Sequence, residues 1–285
     1  MSEILLRTGN LSFAYPERTG LFRAPVLRPV IRGVDLAVPR GSVLGLVGES
    51  GSGKTTLGRL LVRLLEPTSG GIQFDGAEIS HLSEAELRPL RARIQMIFQD
   101  PQSSLNPRLR LAATLTRPLA VHGRITGRRE QRDRAARLLD LVGLPTAFVD
   151  RYPHELSGGQ RQRAGIARAL ALEPDFIVAD EIVSGLDVST QAHILLLLKE
   201  LRARLGLTMV FISHDLSVVR VLCDDVAILS RGEVVECGPV ARIFGSPQHA
   251  YTRQLLGSIP LPDLEPGWLE DSAHLVSPQQ QGSAA

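Results

Sequence analysis

The sequence predicts an α/β fold in which a layered parallel sheet carries a small antiparallel β-subdomain and an inserted α-helical subdomain. Three apolar runs, at residues 43–47, 176–179 and 208–212, are each followed by a helical pattern, which is typical of parallel strands buried on both faces. Residues from about 101 to 172 contain several helical patterns and no convincing strand. We therefore expect this stretch to form the helical insertion.

The first 40 residues and a segment near residue 70 predict antiparallel strands. Apolar and polar residues alternate at residues 11–15 and 31–38, with Pro and Gly between the two runs. A hairpin-like unit at residues 71–76 follows the turn signals of residues 67–70. We expect these segments to pair as one β-subdomain. The tail at residues 259–285 contains several prolines and is predicted to be loosely ordered.

Composition excludes several classes of protein. The 285 residues carry a formal net charge of +2, no stretch near the roughly 20 apolar residues of a membrane span, and no N-terminus of the secretory type. We therefore expect a cytoplasmic protein. Cys223 and Cys237 are too few for a disulfide framework and are predicted to be buried free thiols. The arginines at residues 124–137 lack interleaved aromatic residues, so we expect a solvated helix face and no nucleic-acid partner.

The most informative motif is the phosphate loop, residues 48–55, which matches the pattern G-x-x-x-x-G-K-[ST] between a predicted strand and a predicted helix. Its glycines let backbone N–H groups turn towards a phosphate, and the helix N-terminus adds roughly half a positive charge. Lys54 provides a compact point charge in a chain that otherwise favours arginine. The predicted nucleotide-binding residues here are Gly48, Glu49, Ser50, Gly51, Ser52, Gly53, Lys54, Thr55 and Thr56.

Two adjacent carboxylates follow the buried run at residues 176–179. Asp180 and Glu181 lie at the carboxyl end of a predicted parallel strand, where α/β folds bind ligands. Asp180 is suited to bind Mg²⁺, directly or through water, beside the Thr55 hydroxyl, and Glu181 is suited to polarise an attacking water. The alternative is that the pair only caps the next helix.

A second candidate anion site precedes another predicted helix, which begins near Arg161. We call it the signature segment, and it consists of Ser157, Gly158, Gly159 and Gln160. Backbone N–H groups at a helix N-terminus bind anions readily. An ordinary Ser cap followed by a glycine turn explains the same residues equally well. Both interpretations stay open on local grounds.

The order and approximate spacing of these motifs resemble those of ATP-binding subunits of the ABC transporter superfamily, which share a P-loop NTPase core of the RecA-like type. The resemblance covers about residues 5–258 and also includes Gln99, a turn that ends at Asp187, and His214. It implies an ATPase domain over residues 1–258, ATP and Mg²⁺ as cofactors, and coupling of hydrolysis to transport.

The resemblance also implies roles for residues outside the first two motifs. Gln99 would sense Mg²⁺ and couple to membrane subunits, and His214 would contact the γ-phosphate and hold the catalytic geometry. Asp187 belongs to the turn that takes part in the nucleotide site. Tyr15 matches the aromatic position that stacks on adenine, with Phe13 as a competing candidate and a role as an ordinary strand residue as the alternative.

Two anion sites on opposite sides of one subunit imply that two chains enclose each nucleotide. The resemblance therefore implies a second ABC ATPase, identical or homologous, together with two transmembrane permease subunits. It further implies an extracytoplasmic solute-binding protein as an indirect partner and a location on the cytoplasmic face of the membrane.

Residues 99–108, 151–155 and 247–256 resemble the branch that imports oligopeptides, dipeptides or nickel. Two residues depart from the family pattern: Ile182 stands where Pro usually follows the catalytic Glu, and Gly185 stands where Ala is usual. Because Pro fixes φ and Gly frees it, we expect a looser turn and slower turnover. The alternatives to an importer are a soluble ABC-type ATPase of a metabolic complex, such as one for carbon–phosphorus bond cleavage, and a nucleic-acid-linked ABC ATPase.

Overall fold

The computed structural model describes residues 3–17, 26–100 and 105–257. Its strands are β1 Ile4–Glu17, β2 Val26–Pro39, β3 Val43–Val47, β4 Ser69–Phe74, β5 Ala77–Glu78, β6 Ile94–Ile97, β7 Phe176–Asp180, β8 Thr208–Ile212, β9 Asp225–Ser230 and β10 Glu233–Pro239. Its α-helices are α1 Lys54–Leu61, α2 Glu84–Arg93, α3 Leu111–Val121, α4 Arg128–Leu141, α5 Gly158–Leu170, α6 Val188–Leu205, α7 Leu216–Leu222, α8 Val240–Gly245 and α9 Ala250–Gly257. Two short 3₁₀ helices span Thr146–Asp150 and Pro153–Glu155.

The central sheet has the strand order β10-β9-β3-β8-β7-β6. The strands from β9 to β6 are parallel, and β10 pairs antiparallel to β9 at the edge. Every residue of β3, β7 and β8 is buried, as their continuous apolar runs predict. Because parallel strands end at the same edge, Gly48, Glu181 and Ser213 all follow their strands at one edge of the sheet.

Strands β6, β9 and β10 were not predicted from the sequence. Strand β6 has only four residues and no apolar periodicity that separates it from the end of α2. It pairs with β7 so that Ile97 lies opposite Ala179. This pairing places Gln99, two residues beyond β6, beside the carboxylates that follow β7.

The β-subdomain is a separate antiparallel sheet with the order β2-β1-β4-β5. It contains all the segments that were predicted to pair, and β1 and β2 extend further than their alternating runs, to 14 residues each. Helix α1 packs the buried side chains of Leu57, Leu60 and Leu61 into an apolar cluster that joins this sheet to the central sheet. The start of α1, and with it the phosphate loop, is therefore fixed from both sides.

The part of the predicted insertion that the structure describes, residues 105–172, is helical and contains no strand. Helices α3, α4 and α5 supply apolar residues to a second cluster, which covers the other face of the central sheet. We call it the main apolar cluster. Residues 101–104 and the predicted tail at 259–285 lie outside the described residues, so the domain boundaries stay a prediction.

The two cysteines are free, but the prediction that both are buried is wrong for Cys237, which is exposed on the edge strand β10, and Cys223 is only half-buried. Cys223 lies against the main apolar cluster, and burial raises the pKa of its thiol. Across residues 3–17, 26–100 and 105–257, none of the helices is both long enough and apolar enough to span a bilayer.

Candidate functional site

The phosphate loop joins β3 directly to α1. Gly53 precedes the first residue of α1 with a φ of 106°, a conformation that residues with a Cβ atom rarely adopt. The Lys54 side chain is buried and turns back across the loop, where its Nζ atom donates to the carbonyls of Gly48 at 2.7 Å and Glu49 at 2.8 Å. Burial lowers the pKa of Lys54, and the nearby carboxylates of Glu181 and Asp180 oppose that shift.

This arrangement places the cationic amine of Lys54 against the backbone of the phosphate loop. The two carbonyls account for two donors of the ammonium group, so a further N–H bond can be directed to an anion. The helix N-terminus adds a positive partial charge at the same point. The loop and Lys54 therefore have the donor set that a phosphate group requires.

The carboxylate of Asp180 lies beside the first turn of α1. The Thr55 Oγ1 atom donates to Asp180 Oδ1 over 3.2 Å, although the two residues are 125 positions apart. Asp180 is 3% exposed, and burial raises the pKa of its carboxyl, partly offset by the bond from Thr55.

The pair Asp180 and Glu181 does not cap the next helix. Asp187 is the cap of α6 instead, because its side chain accepts from the Thr190 N–H at 2.9 Å.

Glu181 is held by residues from both neighbouring strands. Its Oε2 atom accepts from Gln99 Nε2 at 3.0 Å, and its Oε1 atom lies 3.5 Å from His214 Nδ1. Its own N–H donates to the Ile212 carbonyl at 3.0 Å. The backbone of Glu181 has a φ of 46°, which is uncommon for a residue with a side chain. Two contacts therefore hold the carboxylate of Glu181, and a third holds its backbone, at the edge of the sheet.

A polar cavity of about 310 Å³ lies between these groups and the phosphate loop. Its lining consists of Val30, Ser50, Gly51, Gly53, Lys54, Thr55, Thr56, Gln99 and Glu181. Among the described residues, no cluster of three or more His, Cys, Asp or Glu side chains could hold a metal. One buried carboxylate and one hydroxyl suit Mg²⁺, which keeps waters and shares phosphate oxygens instead of occupying an all-protein cage.

The signature segment forms the N-terminus of α5. Ser157 Oγ accepts from the Gln160 N–H at 3.3 Å, and Gln160 Oε1 accepts from the Ser157 N–H at 3.1 Å, so the two form a capping box. A Cβ atom on Gly159 would lie 2.6 Å from Thr190 Cγ2, which shows how closely the segment packs against α6. The segment therefore lies beside the Asp187 turn and lines no part of the phosphate-loop cavity described above.

The capping bonds involve Ser157 and Gln160 and leave other groups of the signature segment unused. Ser157 and Gly158 are exposed, and the first N–H groups of a helix have no partner within the helix. The segment can therefore cap α5 and also bind an anion that belongs to another molecule. The sequence had left these two interpretations equal; the structure shows the cap, and the anion site stays a prediction.

Of the two aromatic candidates in β1, only Tyr15 presents its ring to solvent. Its exposure is 36%, whereas Phe13 is 8% exposed and belongs to the β-subdomain core. The two rings make an edge-to-face contact with centroids 4.7 Å apart. This contact orients the Tyr15 ring and leaves a face that can stack on a base.

The turn at residues 181–187 has a buried side chain where the family pattern has Pro. Ile182 is 1% exposed and Val183 is 3% exposed, and both belong to the main apolar cluster. Burial of an Ile side chain is worth roughly 1.5–3 kcal/mol, and this packing opposes the loosening of the turn, which stays a prediction. Gly185 has a φ of 74°, a conformation that glycine adopts without strain.

Asp187 is exposed at the end of this turn. Its carboxylate accepts from the Ser189 and Thr190 hydroxyls at 2.6 and 2.8 Å, in addition to the Thr190 amide. These bonds hold the pKa of the Asp187 carboxyl well below its usual range. Asp187 is therefore the ionised cap of α6, adjacent to the signature segment.

Sequence reasoning missed two residues that complete the phosphate-loop site. Val30 of β2 lines the cavity, and the Gly232 N–H donates to the Ser52 carbonyl at 3.0 Å from behind the loop. The dipeptide Arg231-Gly232 between two apolar runs is a turn signal that could have indicated a hairpin there. Its contact with the loop could not have been inferred, because it depends on how the sheets pack.

The family model described as ABC transporter matches residues 31–184 of this chain. A protein of Brucella ovis with the provisional name peptide import ATP-binding protein is 54% identical over 259 residues, which cover 91% of this chain and 80% of that protein. A protein of Brucella abortus with the same provisional name is 52% identical over 237 residues, which cover 82% of this chain and 71% of that protein.

Solved structures show the same fold. A dimeric post-hydrolysis state of the ATP-binding cassette MJ0796, bound to ADP and Pi, superposes with a TM-score of 0.74 at 31% identity and covers 83% of this chain and 99% of that one. The protein cbiO1 from Clostridium perfringens, part of the transporter complex cbiONQ, superposes with a TM-score of 0.73 at 29% identity, covering 86% and 92%.

Proposed function

The chain belongs to the ABC transporter family, and from this premise we propose that it binds and hydrolyses ATP to energise a membrane importer of peptides or a similar small polar solute. The observation that carries the proposal is the 3.2 Å contact between the Thr55 hydroxyl and the Asp180 carboxylate beside the phosphate loop. Phosphate and a hard cation together require such oxygen ligands next to backbone amides. Peptides as the solute are supported by the provisional names of the relatives.

In this proposal the phosphate-loop residues, 48–56, bind the ATP phosphates through backbone N–H groups and the Lys54 amine. The Tyr15 ring stacks on the adenine, because a stacked ring needs no base-specific hydrogen bonds. Thr55, Asp180 and Gln99 hold Mg²⁺ directly or through water. Mg²⁺ supplies charge neutralisation at the phosphate oxygens.

Glu181 is the catalytic carboxylate of the proposal. It accepts a hydrogen bond from the attacking water and orients that water, while Gln99 and His214 keep its two oxygens in place. His214 is exposed, with 60% of its side chain accessible, so it can also reach a terminal phosphate. Phosphoryl transfer of this kind depends mainly on positioning and electrostatics, which these contacts provide.

Two copies of this ATPase, or this chain and a homologous one, enclose each nucleotide in the proposal. The signature segment lies beside the Asp187 turn and does not line the cavity in its own chain, so it serves the nucleotide of the partner. Ser157, Gly158, Gly159 and Gln160 would then bind the terminal phosphate across the interface, with Asp187 beside them. The dimeric state of the MJ0796 cassette supports this arrangement.

The remaining partners follow from the importer function. We propose two transmembrane permease subunits, a second ABC ATPase and, indirectly, an extracytoplasmic solute-binding protein, with the chain on the cytoplasmic face of the membrane. A soluble ATPase of a metabolic complex is the competing function, and the relatives do not favour it.

The test is affinity isolation of a tagged Glu181→Gln variant with ATP from gently solubilised cells. The variant should retain multi-span membrane proteins and a second ATPase, whereas a tagged Lys54→Ala variant should lose the ATP-dependent second ATPase. An untagged strain gives the background. Recovery of soluble enzymes or nucleic acid alone would reject the importer.

A further inference from the structure

The C-terminal helix α9 contacts the phosphate loop through one tyrosine. The Glu49 N–H donates a hydrogen bond to the Tyr251 hydroxyl oxygen over 3.1 Å, between residues 202 positions apart. Glu49 follows the first glycine of the loop, and Tyr251 is the second residue of α9. The contact therefore joins a helix that follows the central sheet to the loop that surrounds the proposed phosphate site.

Glu49 is held at both ends of its backbone. Its N–H is bound by the Tyr251 hydroxyl, and its carbonyl accepts from Lys54 Nζ at 2.8 Å. A change in the orientation of the Glu49 backbone would therefore displace a carbonyl to which the Lys54 amine donates. The tyrosine hydroxyl and the lysine amine are connected through this single residue.

Helix α9 is itself tightly attached to β10. The two carboxylate oxygens of Glu236 accept from the Gln248 N–H at 2.9 Å and the His249 N–H at 3.0 Å, immediately before the helix begins. Thr252 is fully buried, and the Tyr251 ring packs against the main apolar cluster. The hydroxyl of Tyr251 is thus presented to Glu49 by a fixed support.

We propose that Tyr251 is a positioning residue for nucleotide binding, because its hydroxyl fixes the Glu49 backbone and, through it, the Lys54 amine before ATP arrives. The inference rests on the proposed ATP binding by the phosphate loop. Tyr251 contacts neither of the carboxylates that serve catalysis in the proposal, so its effect falls on binding. A loop that is already ordered loses less conformational entropy when a ligand binds.

The most selective change is Tyr251→Phe, which keeps the ring and its packing and removes only the acceptor oxygen. Water can replace part of this bond because Glu49 is exposed, so we expect ATP affinity to fall roughly threefold to tenfold. The KM for ATP should rise by a similar factor while kcat stays within about twofold. Tyr152→Phe is the matched control, since it removes a phenolic hydroxyl that lies outside the phosphate-loop cavity, and it should leave ATP affinity unchanged.

A second measurement needs no nucleotide. Amide hydrogen exchange at Glu49 should be several-fold faster in Tyr251→Phe than in the unaltered protein, and faster also in Glu236→Gln, which weakens the support of α9. Unchanged exchange at Glu49 together with unchanged ATP affinity in Tyr251→Phe would overturn the inference. An unaltered protein that binds no ATP would overturn the proposed function instead, while the exchange rates would still decide the role of Tyr251.

Discussion

The Nε2 atom of Gln99 donates a hydrogen bond to Glu181 Oε2 over 3.0 Å, although 82 residues separate the two. The contact exists because β6 and β7 pair in parallel, with Ile97 opposite Ala179, so the residues that follow each strand meet at the same edge. Gln99 also begins the segment that leads into the helical subdomain. The carboxylate proposed for catalysis is therefore linked directly to the part of the chain that the resemblance assigns to coupling with membrane subunits.

Replacement of Asp180 by Asn tests the metal site. The amide keeps the shape of the side chain and loses the negative charge that attracts Mg²⁺, so Mg²⁺-dependent ATP hydrolysis should fall by at least about a hundredfold. Binding of ATP without metal should persist, because the phosphate loop is untouched. Turnover and equilibrium binding measured across a magnesium titration check both statements.

Asp133→Asn is the matched control for this change, since Asp133 is exposed on α4, outside the phosphate-loop cavity. It should leave turnover and its magnesium dependence unaltered. Substantial magnesium-dependent hydrolysis by Asp180→Asn would remove Asp180 from the metal site.

Replacement of Gly185 by Ala tests the turn at residues 181–187. At a φ of 74° an Ala side chain is strained by roughly 1–2 kcal/mol, so the free energy of unfolding should fall by about 1 kcal/mol. ATPase activity should not increase. Urea unfolding at equilibrium and steady-state turnover measure the two effects.

Gly165→Ala provides a control of opposite sign. Gly165 lies inside α5 with open space where a Cβ atom would be, so Ala should stabilise the protein by roughly 0.5–1 kcal/mol. A stabilised Gly185→Ala variant with faster turnover would support the looser turn that the sequence had predicted.

Replacement of Asp75 by Asn tests the connection between the β-subdomain and the rest of the domain. The Asp75 carboxylate accepts from Arg93 at 2.6 Å and from Arg40 at 2.5 Å, and these bonds lower its pKa. Its side chain is 31% exposed, so we expect the variant to lose only about 1 kcal/mol of stability at pH 7.

The pH dependence of that loss has a definite sign. A carboxyl with a lowered pKa in the folded state contributes stability above its ordinary pKa of about 3.9, and this contribution is lost as the pH falls through the lowered value. The difference between the two proteins in urea unfolding should therefore be constant from pH 7 to about pH 5 and shrink below pH 4. A difference that grows towards low pH would contradict the ion-pair account.

The sequence was sufficient for the parts of the site that follow continuous motifs. The phosphate loop and the position of Asp180 at the end of a buried strand are local features, because strand, loop and helix follow one another without interruption. The three central strands were predictable for the same reason, since a fully buried strand reads as an unbroken apolar run. The fold class was confirmed by the solved cassettes that superpose on this chain.

The sequence was insufficient where geometry depends on packing between distant segments. Strand β6 is too short for its period to be read, so only family resemblance pointed to Gln99, and the bond between Tyr251 and Glu49 has no local signal. Propensity rules also gave no sign that the Ile182 side chain is buried in the apolar cluster, and the looser turn stays a prediction.

In the proposed function, Glu181 polarises the attacking water in a site that two chains complete. The most direct measurement is the mass of the Glu181→Gln variant by light scattering, with and without ATP, together with its steady-state turnover. Because Gln keeps the shape of the side chain and loses the charge that polarises water, we predict an ATP-dependent dimer and turnover reduced by at least about a hundredfold. A monomer that hydrolyses ATP at the rate of the unaltered protein would rule out both the catalytic role of Glu181 and the site shared by two chains.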